Sequence, residues 1–281
     1  MREAIDRLIQ AGDTEPLIEA LGSAQASEVR QAVKRLIQAD GRPGALVERA
    51  RTWGARPEPV ARHVACGLLG QGYCSAPEEA KPLLLRLADD SEWPVREAAG
   101  HACGAILRAD FSAGAELLRE WCNHPSPGVR RTVLTAIART AEPRRLEWRE
   151  PLLKLVEPLL PDRDPAVRRA LGPLVLGSVL LRAYPDMTFE YLVKWSTSSD
   201  EQTLWNVAMA FSSAGAPPIA KKALIVLRKL SLDERRYVWR AVASAMWKLG
   251  RKRPEVIRPE LSRWLEDERR VDVAREALRH L

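Results

Sequence analysis

One phrase recurs along this chain at an interval that only a helical hairpin fills. It reads as a polar or proline-bearing turn, a valine or leucine, then a pair of residues rich in arginine, then an apolar run. Its centres are Val29, Val60, Val95, Val129, Val167, Leu204, Val238 and Val273, spaced 31, 35, 34, 38, 37, 34 and 35 residues apart. In seven of the eight copies the next two positions hold an arginine, the exception being Trp205-Asn206. Ahead of the turns lie apolar stretches such as Pro82 to Ala88, Ala115 to Cys122, Pro151 to Leu160 and Phe189 to Trp195. The copy at 89–99 carries the start signals of a helix: Asp90 or Ser91 can cap free N–H groups, and Pro94 stands where an N–H has no partner anyway. Val95, Ala98, Ala99 and Ala102 then share one apolar face.

A hairpin of this length cannot close a core alone, so eight in series are expected to stack into an all-α fold, an α-solenoid of about eight HEAT-like or armadillo-like repeats. The repeats offer no obvious cut, and residues 1–281 are read as a single repeat domain. Alternating β-branched runs and Asn-Gly or Asp-Gly hairpin turns are lacking, which argues against strands. Without an apolar stretch near the eighteen or so residues of a membrane span, a soluble cytoplasmic protein without a membrane partner is expected. Cys66, Cys74, Cys103 and Cys122 lack C-x-x-C spacing and read as reduced, packed thiols. With His63, His101 and His124 they fall in three consecutive hairpins. Helices about 10 Å apart hold matching positions too far from one another for bonds of about 2 Å, so neither a metal nor another cofactor is expected.

Charge divides the chain unevenly. Residues 1–140 hold 18 Lys+Arg and 18 Asp+Glu, while 141–281 hold 26 and 19, so the excess of seven lies in the second half. There Lys221, Lys222, Arg228, Lys229, Arg235, Arg236, Arg240 and Arg251 to Arg253 form a basic run suited to a polyanion backbone, or a solvated surface in which Asp233, Glu234 and Glu266 to Glu268 intervene. The first arginine of each phrase is expected to pair with an aspartate in a neighbouring turn, Asp90, Asp164, Asp200, Asp233 or Asp267, as a ladder between repeats. The second arginines, Arg131, Arg169 and Arg240, point about 100° further round their helices and are candidates for phosphate.

Residues 91–148 place Trp93, Trp121 and Trp148 among carboxylates and paired arginines on successive hairpins. The order Ser91-Glu92-Trp93-Pro94-Val95-Arg96, Trp121, Val129-Arg130-Arg131, Arg144-Arg145-Leu146-Glu147-Trp148, Val167-Arg168-Arg169, Tyr184-Pro185-Asp186 and Trp195 resembles the AlkC/AlkD DNA alkylation-repair glycosylases over roughly residues 85–215. That resemblance implies a HEAT-like solenoid that grips duplex DNA in a basic groove and removes cationic alkylpurines. Trp93 and Glu97 stand four apart, as that family's tryptophan and aspartate do. Two departures concern carboxylates: Leu134-Thr135-Ala136 stands where AlkC-like chains carry Ser-Glu-Gly, and Pro173 to Gly177 where an Asn-rich stretch with Asp is expected. A tryptophan that AlkD-like chains place near Pro173 is replaced as well.

Losing a cationic base builds oxocarbenium charge on the sugar, which a carboxylate stabilises while an aromatic face holds the base. Glu92, Glu97 and Glu147 are the catalytic candidates on that chemistry, and Trp93, Arg131, Trp148, Arg169, Lys221, Lys222 and Arg240 the candidates for contact with DNA. The alternative function is a non-catalytic HEAT-repeat scaffold whose groove binds an acidic protein segment.

Overall fold

The computed structural model of the chain describes every residue except Met1, Asp13 and Gly41, and only the backbone of Arg2. The described residues are helical and contain no strand. They form two compact units, Met1–Thr140 and Ala141–Leu281. The first holds α1 (Arg2–Ala11), α2 (Thr14–Gly22), α3 (Ala26–Asp40), α4 (Pro43–Gly54), α5 (Pro59–Gly72), α6 (Pro77–Ala88), α7 (Trp93–Ala109), α8 (Phe111–Trp121) and α9 (Pro127–Thr140). The second holds α10 (Arg149–Val156), α11 (Pro165–Ala170), α12 (Leu181–Ala183), α13 (Pro185–Trp195), α14 (Glu201–Ala210), α15 (Ala220–Leu230), α16 (Arg236–Gly250), α17 (Pro254–Leu265) and α18 (Val271–Leu278).

Every phrase centre sits in the first four residues of a helix: α3, α5, α7, α9, α11, α14, α16 and α18. All are buried except Val60, which is half-buried. The turns start helices by two devices. Prolines at the first positions of α4, α5, α6, α7, α11, α13 and α17 preset φ and lack the N–H that has no partner there. Asp110, Asp164 and Asp200 accept from the exposed N–H groups of α8, α11 and α14.

In the first unit α3, α5, α7 and α9 pack in series, with α4, α6 and α8 laid against them. Leu36, Trp53, Leu68, Leu69, Leu84, Ile106, Leu107, Leu118 and Leu134 are fully buried between the layers. Each such side chain contributes about 1.5–3 kcal/mol. The helices approach closely where side chains are small. A Cβ on Gly70 of α5 would lie 2.9 Å from the Cα of Ala102 in α7, and one on Gly100 of α7 would lie 2.5 Å from the Cβ of Thr135 in α9.

In the second unit α14, α16 and α18 pack in series, with α13, α15 and α17 against them. Helix α11 runs on into a π-helical segment, Leu171–Leu180, before α12. Pro173 falls in it and has no N–H to return to the preceding turn, a break that a wider helical turn accommodates. The division between the units falls in the longest repeat interval, Val129 to Val167, and coincides with the charge boundary, so the whole excess of seven belongs to the second unit. Among the described residues no helix is long and apolar enough to cross a membrane.

Candidate functional site

In the first unit α7 carries Trp93, Glu97 and His101 at intervals of four, which puts them on one helix face. Gly100 lets α9 close against that helix, and Arg131 of α9 reaches across. Its Nη1 and Nη2 lie 3.3 and 3.4 Å from Oε2 of Glu97, and its Cζ lies 5.8 Å from the centre of the Trp93 ring. Nε2 of His101 stands 3.5 Å from Oε1 of Glu97, a distance and alignment that make the contact electrostatic rather than a directed hydrogen bond. His101 beside it and the Arg131 guanidinium hold the Glu97 carboxyl below its ordinary range, against the burial that opposes them. The Glu97 side chain is 22% exposed while Trp93, next to it, is 54% exposed. An anionic carboxylate, screened but not sealed, thus lies beside an open indole face.

Glu92 is exposed in the turn before α7, where its backbone N–H donates to Asp90. Trp121 is core, at 2% exposure. Sequence reasoning weighed His101 only as a metal ligand and did not place it beside Glu97, although the signal was there in the continued interval of four after Trp93 and Glu97. It passed over the exposed face of α3, where Ser27, Arg30, Gln31, Lys34, Arg35 and Gln38 line a furrow of about 580 Å3. The balanced charge of residues 1–140 hid that face, although its cations repeat at helical spacing.

The expected ladder of first arginines is replaced by two other arrangements. Arg96 and Arg130 turn back on their own loops: Arg96 donates to the carbonyls of Asp90 and Ser91, Arg130 to those of His124 and Pro125. Asp164 and Asp200 cap their own helices, and Asp233 and Asp267 pair within their turns with Arg235 and Arg270. Only Asp90 joins two hairpins, and its partner is Arg62, a second-position arginine, through bonds of 2.7 and 3.1 Å. Although buried, Asp90 is held below its ordinary range by that fork and by the Glu92 N–H.

In the second unit Glu147 is exposed and 3.5 Å from Arg145. Trp148 is buried at 8% exposure, with Arg145 Cζ 5.1 Å from its ring centre, so its faces are engaged by protein. Arg169 is exposed and donates to the Pro165 carbonyl of its own helix. Lys221 is exposed, Lys222 pairs with Asp186 at 3.0 Å, and Arg240 reaches Glu276 at 3.5 Å while 54% exposed. Of the four cysteines expected to be packed, Cys74 is exposed; the thiols of Cys66, Cys103 and Cys122 are buried, and burial pushes all three up, Cys122 to about 11. The three buried thiols are neutral packing groups at ordinary pH.

A model of the family described as "DNA alkylation repair enzyme" matches residues 19–184, more than half of the chain and the whole of the Trp93–Glu97–Arg131 cluster. The chain belongs to the DNA alkylation repair enzyme family. The match begins well before the segment in which the resemblance is legible by eye, and it ends before Lys221, Lys222 and Arg240. Among solved structures, AlkD2 from Streptococcus mutans superposes with a TM-score of 0.53 at 16% identity, covering 79% of this chain and 96% of that one. At that identity the likeness shows the fold: an all-α helical-repeat solenoid. YibA from Escherichia coli (TM-score 0.45, 17% identity, 99% of this chain and 95% of that one) and a designed armadillo repeat protein (0.36, 17%, 88% and 98%) are more distant likenesses. No curated protein matches the chain in sequence.

Proposed function

We propose that this member of the DNA alkylation repair enzyme family binds duplex DNA through the phosphate backbone and excises cationic alkylpurines, with Glu97 as the catalytic carboxylate and Trp93 as the aromatic face for the base. The observation that carries the proposal is the Trp93–Glu97–Arg131 cluster. Glu97 is kept anionic and partly screened from water beside an exposed indole, inside the segment that the family model matches.

The chemistry requires little else. In an N3- or N7-alkylated purine nucleotide the C1′–N9 bond breaks with its electron pair going to N9, which cancels the positive charge of the base. The sugar is left as an oxocarbenium ion, which a carboxylate stabilises electrostatically; water then adds at C1′ and its proton passes to solvent. Trp93 offers a π face to the cationic base before the bond breaks. Arg131 sets the Glu97 rotamer, and because it also neutralises part of that charge, a DNA phosphate that draws Arg131 away strengthens the carboxylate. Backbone contact is assigned to the basic surface of the second unit, with Lys221, Lys222, Arg169 and Arg240, and to the α3 face of the first.

Release of alkylbase from methylated duplex tests this reading. Glu97→Gln is expected to slow release about a hundredfold to a thousandfold, whereas Glu92→Gln and Glu147→Gln, both exposed, are expected to stay near wild type. Uracil-containing duplex is expected to be untouched, since excision of a neutral base calls for an acid catalyst. Wild-type release that survives Glu97→Gln would place the chemistry elsewhere. Tight duplex binding without any release would leave a DNA-binding scaffold in which Glu97 and Arg131 are a structural pair.

A further inference from the structure

The second unit contains an aromatic cleft outside the segment that the family model matches. Trp205 on α14 and Tyr237 on α16 stack with ring centres 5.7 Å apart and planes within 11° of parallel. Both rings are half-buried, and with Met209, Arg236, Arg240 and Ser244 they line a cleft of about 590 Å3. Sites for small ligands occupy about 300–1,000 Å3.

The rings are held by side chains that do not line the cleft. Arg168, which does not line it, places its Cζ 5.9 Å from the Trp205 ring centre and 6.0 Å from that of Tyr237, and its Nη1 donates to the Tyr237 hydroxyl at 3.0 Å. That hydroxyl donates in turn to Oε1 of Gln202 at 2.7 Å. The tyrosine is therefore held flat with no ligand needed to order it. Arg236 and Arg240, one helical turn apart on α16, are both exposed at the mouth. Arg236 makes no ion pair among the described residues, and Arg240 has only the long contact to Glu276.

Two stacked rings with cations at one edge match a planar heterocycle joined to a phosphate. A paired base cannot enter, because its faces are occupied by its neighbours in the duplex and its edge by its partner. We propose that this cleft seats one unpaired nucleotide of DNA, its base against the Trp205–Tyr237 pair and its phosphate on Arg236 and Arg240. The choice of DNA rests on the function proposed above; the cleft itself stands on the geometry of the second unit alone.

Fluorescence anisotropy of the full chain with four labelled probes separates the two ideas: a fully paired duplex, the same duplex with a single unpaired thymidine, a single-stranded oligothymidylate and a single-stranded oligouridylate. Wild type is expected to prefer the duplex with the unpaired nucleotide over the paired one by roughly tenfold, the scale of one base stacked on an aromatic side chain. Trp205→Leu is expected to abolish the preference while leaving affinity for paired duplex unchanged, and Tyr237→Phe to retain it. Ser244→Phe, which fills the cleft while leaving both rings and both arginines in the chain, is expected to abolish it too, and serves if Trp205→Leu fails to fold. Equal affinity of wild type for paired and unpaired duplexes would overturn the seat and leave the proposed duplex binding standing. Binding of the oligothymidylate but not the duplex would do the reverse. Tighter binding of oligouridylate than of oligothymidylate would assign the seat to RNA and overturn the choice of DNA.

Discussion

Glu97 shows how the neighbours of a single carboxylate set its chemistry. On its own helix it has Trp93 one turn before and His101 one turn after, and from α9 it receives Arg131. Because its folded pKa lies below the unfolded value of about 4.3, the stability it contributes is fully present above that pH and is lost as pH falls through the lower folded value. Base release is accordingly expected to be flat from neutral pH down to about 4.3 on its acid side, measured as rate against pH; an ionisation between pH 5 and 7 would show that another group carries the chemistry. Arg131 divides its role between Glu97 and phosphate. Arg131→Ala is expected to weaken duplex binding and slow release with little change in melting temperature, since an exchange of one partly exposed pair costs about 1 kcal/mol or less. Arg169→Ala, which loses only a bond within its own helix, is expected to weaken binding with no change in melting. Arg96→Ala is expected to do the opposite and destabilise, by about 1–3 kcal/mol, because two carbonyls of its turn lose their donor.

At the scale of elements, the hairpins are joined by small residues and by a few buried charges. Asp90 and Arg62, 10% and 15% exposed, tie α5 to the turn before α7. Arg62→Ala is expected to cost about 3 kcal/mol, as breaking one side of a buried pair does, and to lower the melting temperature more than Arg96→Ala. A thermal melt ranking the two in reverse order would return the structural role to the first arginine of the phrase. Glu260 on α17 is 3% exposed and receives Arg228 of α15 through two bonds of 2.7 Å and the Trp264 indole through one of 2.8 Å. Those donors hold it below its ordinary range against burial. Glycines decide the approach of α7 and α9. Gly100→Val is expected to destabilise by about 1–3 kcal/mol, read in the same melts, because a side chain there meets Thr135 with no room to turn. It is also expected to slow release, since Arg131 reaches Glu97 only while those helices stay close.

For the whole molecule, the coincidence of charge boundary and unit boundary has a measurable consequence. Unit 1 is balanced at 18 cations and 18 anions, and unit 2 carries 26 against 19. Duplex affinity is therefore expected to fall steeply with salt, and to owe most of that slope to the second unit. Each phosphate contact removed lowers the log–log slope by about 0.9, so Lys221→Gln with Lys222→Gln is expected to reduce it by up to about 2 in titrations at several salt concentrations. An unchanged slope would take these lysines out of the interface. Lys222 is the weaker of the two in this respect, because Asp186 already partners it.

The fold and the family were legible in the sequence, because a hairpin repeat writes its period into the chain: an apolar face must recur wherever a helix meets its neighbour, and a proline or cap wherever one begins. The Trp93–Glu97 pair was legible for the same reason, since four residues on a helix are one turn. Partners across helices were not. That Arg131 meets Glu97, that Arg62 and not Arg96 holds Asp90, and that Trp148 is buried while Trp93 is open depend on how closely two helices pack and how each is rotated. Those quantities are set by residues such as Gly100 and Gly70, whose effect is to leave space rather than to make a contact. The Trp205–Tyr237 stack is of the same kind: the two rings stand 32 residues apart and off the repeat register, and only the packing of α14 on α16 lays one upon the other.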